Sequence, residues 1–110
     1  MTIPTGNIMS SLPRNAAQEL IVTLLATRNV RIESIVSHGH ASPDGFWYDQ
    51  DWAEWVIVVK GSAELLFDGE SAPRVLNSGD YLEIPPHARH RVTATDPHQP
   101  TVWLAVHHRA

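Results

Sequence analysis

A chain of 110 residues, 43% hydrophobic and 18% charged, is sized for one packed domain and leaves no room for a second. A formal net charge of −4, with the basic residues scattered, excludes a nucleic-acid-binding stripe, and the absence of cysteine excludes disulfides and thiolate metal ligands. No apolar run approaches the roughly 20 residues that cross a bilayer, and Met1 to Asn7 lacks the basic and apolar segments of a signal peptide, so a soluble cytoplasmic protein with no membrane partner is expected.

In chain order, Asn15 can cap a helix whose third residue is Gln18, and Leu20, Ile21, Leu24 and Leu25 then share one face. This predicts one short amphipathic helix over Ala16 to Ala26. After Arg28-Asn29 the pattern changes to strands at Val30 to Ser37, Glu54 to Val59, Ala63 to Phe67, Tyr81 to Ile84, Arg89 to Thr95 and Thr101 to Val106. Between them lie turn formers: Ser42-Pro43-Asp44-Gly45, Lys60-Gly61, Asp68-Gly69-Glu70, Asn77-Ser78-Gly79-Asp80, Pro85-Pro86 and Asp96-Pro97. Short strands at this spacing without intervening helices predict an all-β sandwich or barrel. Alternation along Glu54 to Val59 makes both faces apolar, which marks a central strand with Glu54 pointing the same way as Val56 and Val58. In the later strand His90 shares the inward face with Val92 and Ala94, while Arg89, Arg91 and Thr93 face solvent.

Two stretches resemble the signature motifs of the RmlC-like cupin superfamily. Gly79-Asp80-Tyr81-Leu82-Glu83-Ile84-Pro85-Pro86-His87-Ala88-Arg89-His90 has the glycine, the proline and the histidine five positions beyond it, with His87 where the family has glycine. Glu54, six residues and Gly61 match the end of the other motif. The His-x-His that precedes this glutamate in the family is replaced by Tyr48-Asp49-Gln50. Together with Ser37 to Gln50, these residues are similar to small bacterial cupins labelled mannose-6-phosphate isomerase-like. The resemblance implies an all-β cupin double-stranded β-helix, a jelly-roll barrel, over residues 29–108, with the helix and an N-terminal strand in residues 1–28. It also implies a homodimer, and Thr2 to Leu12 is compatible with a strand shared between copies.

The resemblance assigns metal-ligand positions to Glu54 and His90. If residues 48–54 are extended, Tyr48, Gln50, Trp52 and Glu54 share a face, so Gln50 would add an amide oxygen to a divalent site for Zn, Fe, Mn or Ni. His38 and His40 form a second His-x-His pair that either reaches the barrel mouth or lies in an exposed loop, and one of His107 and His108 must face inward. Phe46, Trp47, Tyr48, Trp52 and Trp55 cluster, which places Trp47, Tyr48 and Trp52 as candidate pocket walls for a small-molecule ligand. Three functions fit: a metal-dependent isomerase of a small polar molecule such as a sugar or sugar phosphate, with Glu54 and Tyr48 as catalytic proton carriers; a non-catalytic small-molecule binder; or an iron-dependent dioxygenase. Loss of the usual His-x-His favours the binder.

Overall fold

The computed structural model describes residues 1–10, 12 and 18–110 of the chain. Its strands are β1 (Leu20–Ala26), β2 (Val30–Ser37), β3 (Ala53–Lys60), β4 (Ser62–Phe67), β5 (Arg74–Asn77), β6 (Tyr81–Ile84), β7 (His90–Thr95) and β8 (Thr101–His108). They form a five-stranded sheet in the order β1-β2-β8-β3-β6 and a three-stranded sheet in the order β5-β4-β7, with every pairing antiparallel.

Between the sheets, Val56 and Val58 of β3, Trp103 and Ala105 of β8, Ala63 and Leu65 of β4, Leu76 and Ile84 make one hydrophobic cluster. β3 is central, flanked by β8 and β6, and its Glu54, Val56 and Val58 are all buried. In β7 the alternation holds only at the start. Glu64 and Leu65 are adjacent in β4 but pair with Ala94 and Val92, so Thr93 forms a bulge and the buried position moves from Ala94 to Thr95.

The N-terminal segment differs from expectation. Leu20–Ala26 is a strand, not the end of a helix, and it pairs with β2 from Leu20↔Val36 to Ala26↔Arg31. The Leu and Ile spacing satisfies a helical stripe, but Ile21, Val22 and Thr23 are β-branched, and the open edge of β2 offers a partner for their backbone groups. The barrel sheet therefore begins before residue 29, and the start of the expected helix, 15–17, lies outside the described residues. Residues 2–10 form no strand and end in a turn; position 11 is likewise outside the described residues. β5 escaped the sequence reading because only Leu76 among its four residues is buried.

The β3–β4 corner is fixed by Gly61. Its φ is +85°, and a Cβ there would lie 2.8 Å from Thr101 Oγ1 and 2.9 Å from the Pro100 carbonyl oxygen. Thr101 cannot give way easily, because its hydroxyl donates to the Ser62 carbonyl at 2.9 Å and accepts the Asp96 N–H at 3.3 Å. Gly61→Ala should lower stability by at least about 2 kcal/mol in urea unfolding. Gly45→Ala, at a φ of +76° with open space around it, should cost about 1 kcal/mol.

Candidate functional site

A cavity of about 170 Å³ opens between the sheets. Its wall in the large sheet follows from strand register. β8 lies between β2 and β3, so Arg31, His107, Glu54 and Ile84 form one row across four strands, and Glu33 and Val56 flank Ala105 in the next. Period-two alternation sends all of these side chains to the same face. Tyr48, Gln50 and His90 close the opposite side, and Glu19 and Ile21 stand at the β1 edge.

Glu54 is 9% exposed, and among the described residues no side-chain hydrogen bond or ion pair ends on it. Burial pushes its carboxyl up to about 7; the Glu33 carboxylate adds to the rise and Arg31 opposes it. Glu33 is held from two sides, by His107 Nε2 at 3.1 Å and Arg31 Nε at 3.3 Å. Burial, reinforced by Arg31, lowers the pKa of His107, while its contact with Glu33 opposes the shift.

His90 is stacked on Tyr48, with ring centroids 5.4 Å apart, and lies beside Phe67. The two backbones bridge: the Tyr48 N–H donates to the His90 carbonyl at 2.7 Å and the His90 N–H donates to the Tyr48 carbonyl at 3.1 Å. His90 Nδ1 lies 2.8 Å from the Ala88 carbonyl, an acceptor, so Nδ1 carries the proton and Nε2 keeps its lone pair. Burial lowers the His90 pKa against that hydrogen bond and favours the neutral ring. Burial raises the Tyr48 pKa, with the Glu19 and Glu54 charges adding to it, so the phenol stays protonated and can donate. Gln50 Oε1 is buried and has no hydrogen-bond partner among the described residues.

Of the residues singled out from the sequence, Tyr48, Gln50, Glu54 and His90 line the cavity, whereas Trp47, Trp52, His38 and His40 do not. The chain bends at Asp51-Trp52, which breaks the alternation that grouped Trp52 with Glu54, and its ring lies 4.3 Å from the Arg109 guanidinium carbon. Trp47 has the opposite parity to Tyr48 and packs against Arg89 and Arg91. His38 and His40 contact each other, with His40 Nδ1 accepting the His38 N–H at 2.7 Å. His107 is the inward member of its pair, and His108 turns out to Glu83 at 2.7 Å. Sequence reasoning missed Glu19, Arg31 and Glu33. The alternation of Arg31, Glu33 and Ile35 against Ile32, Ser34 and Val36 was a signal for the last two.

The resemblance implies a divalent ion, and the donor set tests it. Glu54, His90 Nε2 and Gln50 Oε1 are suitable atoms, yet among the described residues no three His, Asp or Glu side chains converge closely enough to hold a metal ion. His107 directs Nε2 at Glu33, and His38 and His40 lie away from the cavity. These residues fit neither a three-ligand histidine and carboxylate centre nor the two-histidine, one-carboxylate face of an iron oxygenase.

Residues 35–107 match the family model described as a cupin domain. The chain belongs to the cupin family. Its barrel superposes with a TM-score of 0.95 on a crystal structure from Ralstonia eutropha JMP134, of a protein provisionally named mannose-6-phosphate isomerase, at 49% identity over 98% of this chain and 100% of that one. A cupin superfamily protein from Desulfitobacterium hafniense DCB-2 matches at TM-score 0.73 and 17% identity, over 90% of this chain and 84% of that one. An RmlC-like cupin with a double-stranded β-helix from Methanocaldococcus jannaschii matches at 0.68 and 19%, over 88% and 85%. These last two establish the double-stranded β-helix fold alone. No curated protein matches the chain.

The Glu54 shift carries a sign. A carboxyl whose folded pKa is about 7 against 4.5 contributes stability that is fully present below pH 4.5 and lost as pH rises through 7. Measured by urea unfolding from pH 4.5 to 8, wild type should lose about 3 kcal/mol relative to Glu54→Gln. A constant difference would mean an ordinary carboxyl.

Proposed function

We propose that this cupin is an acid–base enzyme that isomerises a small hydroxy-carbonyl compound held in the cavity. The observation that carries the reading is Glu54, a buried carboxyl without a side-chain partner among the described residues whose pKa lies near neutrality, where a group can both take and return a proton. The 49% identity to the Ralstonia protein and its name support the same reaction class.

In this mechanism the Glu54 carboxylate removes the proton from the hydroxyl-bearing carbon next to the carbonyl. The Tyr48 phenol donates a hydrogen bond to the carbonyl oxygen as negative charge develops there. His90 Nε2 takes the hydroxyl proton and returns it to the former carbonyl oxygen, and protonated Glu54 delivers its proton to the former carbonyl carbon, so both groups end as they began. The His107–Glu33–Arg31 chain holds the base's neighbours in place and keeps the Glu33 charge close enough to sustain the raised pKa. No oxidant or reductant is required.

Isomerisation of short aldoses in D2O should incorporate deuterium at the carbon next to the carbonyl, with a rate that depends on an ionisation near pH 7. Glu54→Gln should lower kcat by about 10²- to 10⁴-fold. Activity should survive chelation and gain nothing from added Fe, Zn, Mn or Ni; strict dependence on one of these ions would overturn the metal-free form of the mechanism. Saturable binding without exchange would leave a small-molecule-binding cupin.

The reading includes a homodimer. β1 is an edge strand whose Leu20, Ile21, Val22, Leu24 and Leu25 are all exposed, and it has no charge or proline to block a further strand. A second copy pairing about a two-fold axis would cover it. Light scattering should report a dimer for wild type and a monomer for Leu24→Lys; a wild-type monomer would leave the edge unpaired.

A further inference from the structure

We infer that the cavity selects a short polyhydroxy carbonyl compound without a phosphate or other anionic group. The inference rests on the cavity being the substrate site proposed above, and it names the class of molecule the site takes.

Charge is the first ground. Three carboxylates, Glu19, Glu33 and Glu54, line the cavity against one guanidinium, Arg31, which is itself 3.3 Å from Glu33. His107 Nε2 is taken up by Glu33 and His90 Nδ1 by the Ala88 carbonyl. The described residues contain no helix, so no helix N-terminus offers its backbone N–H groups to an anion. A phosphate would thus meet an excess of carboxyl groups, with the one guanidinium already sharing its charge with Glu33.

Hydrogen bonding is the second ground. Among the described residues Gln50 Oε1 is buried and unpartnered, His90 Nε2 has its lone pair free, and Glu54 accepts no hydrogen bond from the protein. The lining also carries donors, the Tyr48 phenol, the Gln50 amide nitrogen and the terminal Arg31 nitrogens, with Arg31 Nε committed to Glu33. A ligand that satisfies this surface must bring O–H or N–H groups. Hydroxyls do so without adding charge, while Ile35, Val56 and Val92 offer apolar wall to the carbon-bound hydrogens of a sugar.

Size is the third. A cavity of about 170 Å³ has room for a three- or four-carbon sugar.

Calorimetric titration of the full chain with erythrose, erythrose 4-phosphate and mannose 6-phosphate tests the inference without reading turnover. Erythrose should bind at least tenfold more tightly than either phosphate. Gln50→Leu should weaken erythrose at least fivefold, and Glu19→Gln should shift the preference between erythrose 4-phosphate and erythrose severalfold toward the phosphate. Unfolding midpoints near wild type would show that both variants fold. Equal or tighter binding of a phosphate, or no binding of erythrose, would overturn the inference. Erythrose binding without isomerisation would remove the enzyme and leave the ligand class standing; isomerisation of a phosphate would do the reverse.

Discussion

The register of β8 between β2 and β3 is the constraint on which the rest of the site depends. Arg31↔His107 on one side and Glu54↔His107 on the other put three ionisable side chains in one row, on the face that closes over the cavity. A one-residue slip in either pairing would turn a strand's inner set outward, replacing Glu54, Val56 and Val58 with Trp55, Ile57 and Val59. The hydrophobic cluster below the row opposes that slip, because Val56, Val58, Trp103 and Ala105 belong to the same inner faces. Core packing therefore fixes the geometry of the polar site as well as the fold.

The wall is polarised: Glu33, in the adjoining row, is satisfied by His107 and Arg31, whereas among the described residues Glu54 has no such partner and carries the cost of burial. An unpartnered buried carboxyl is costly in its charged form, and the pKa near 7 is how that cost appears. The same arrangement gives the site its chemistry: one anion held fixed and one carboxyl able to exchange a proton near neutrality. Across the cavity the His90–Tyr48 stack contributes an acceptor and a donor, and the mutual backbone hydrogen bonds of these two residues hold both rings.

Function in this fold lies in the substitutions at the mouth. Where the cupin motif has two histidines, this chain has Tyr48 and Gln50, and both line the cavity. The exchange removes soft nitrogen donors and leaves a phenol and an amide oxygen beside Glu54. That set is suited to hydrogen bonding and proton transfer, and it moves the site away from the histidine-rich metal centre that the resemblance implies.

By itself the sequence determined the six strands from β2 to β4 and β6 to β8, because period-two alternation bounded by Gly, Pro, Asn and Asp is a local signal. It also determined the inward direction of Glu54 and His90, which follows from parity within a single strand. Tertiary structure decided β1, where one residue pattern satisfies both a helical stripe and a strand, and the open edge of β2 selects the strand. It decided the bend at Asp51-Trp52 that takes Trp52 out of the cavity and leaves Gln50 in it. It also decided that Arg31, Glu33 and His107 gather beside Glu54: alternation within a strand sets which way each side chain points, but only inter-strand register brings side chains of β2, β8 and β3 next to one another.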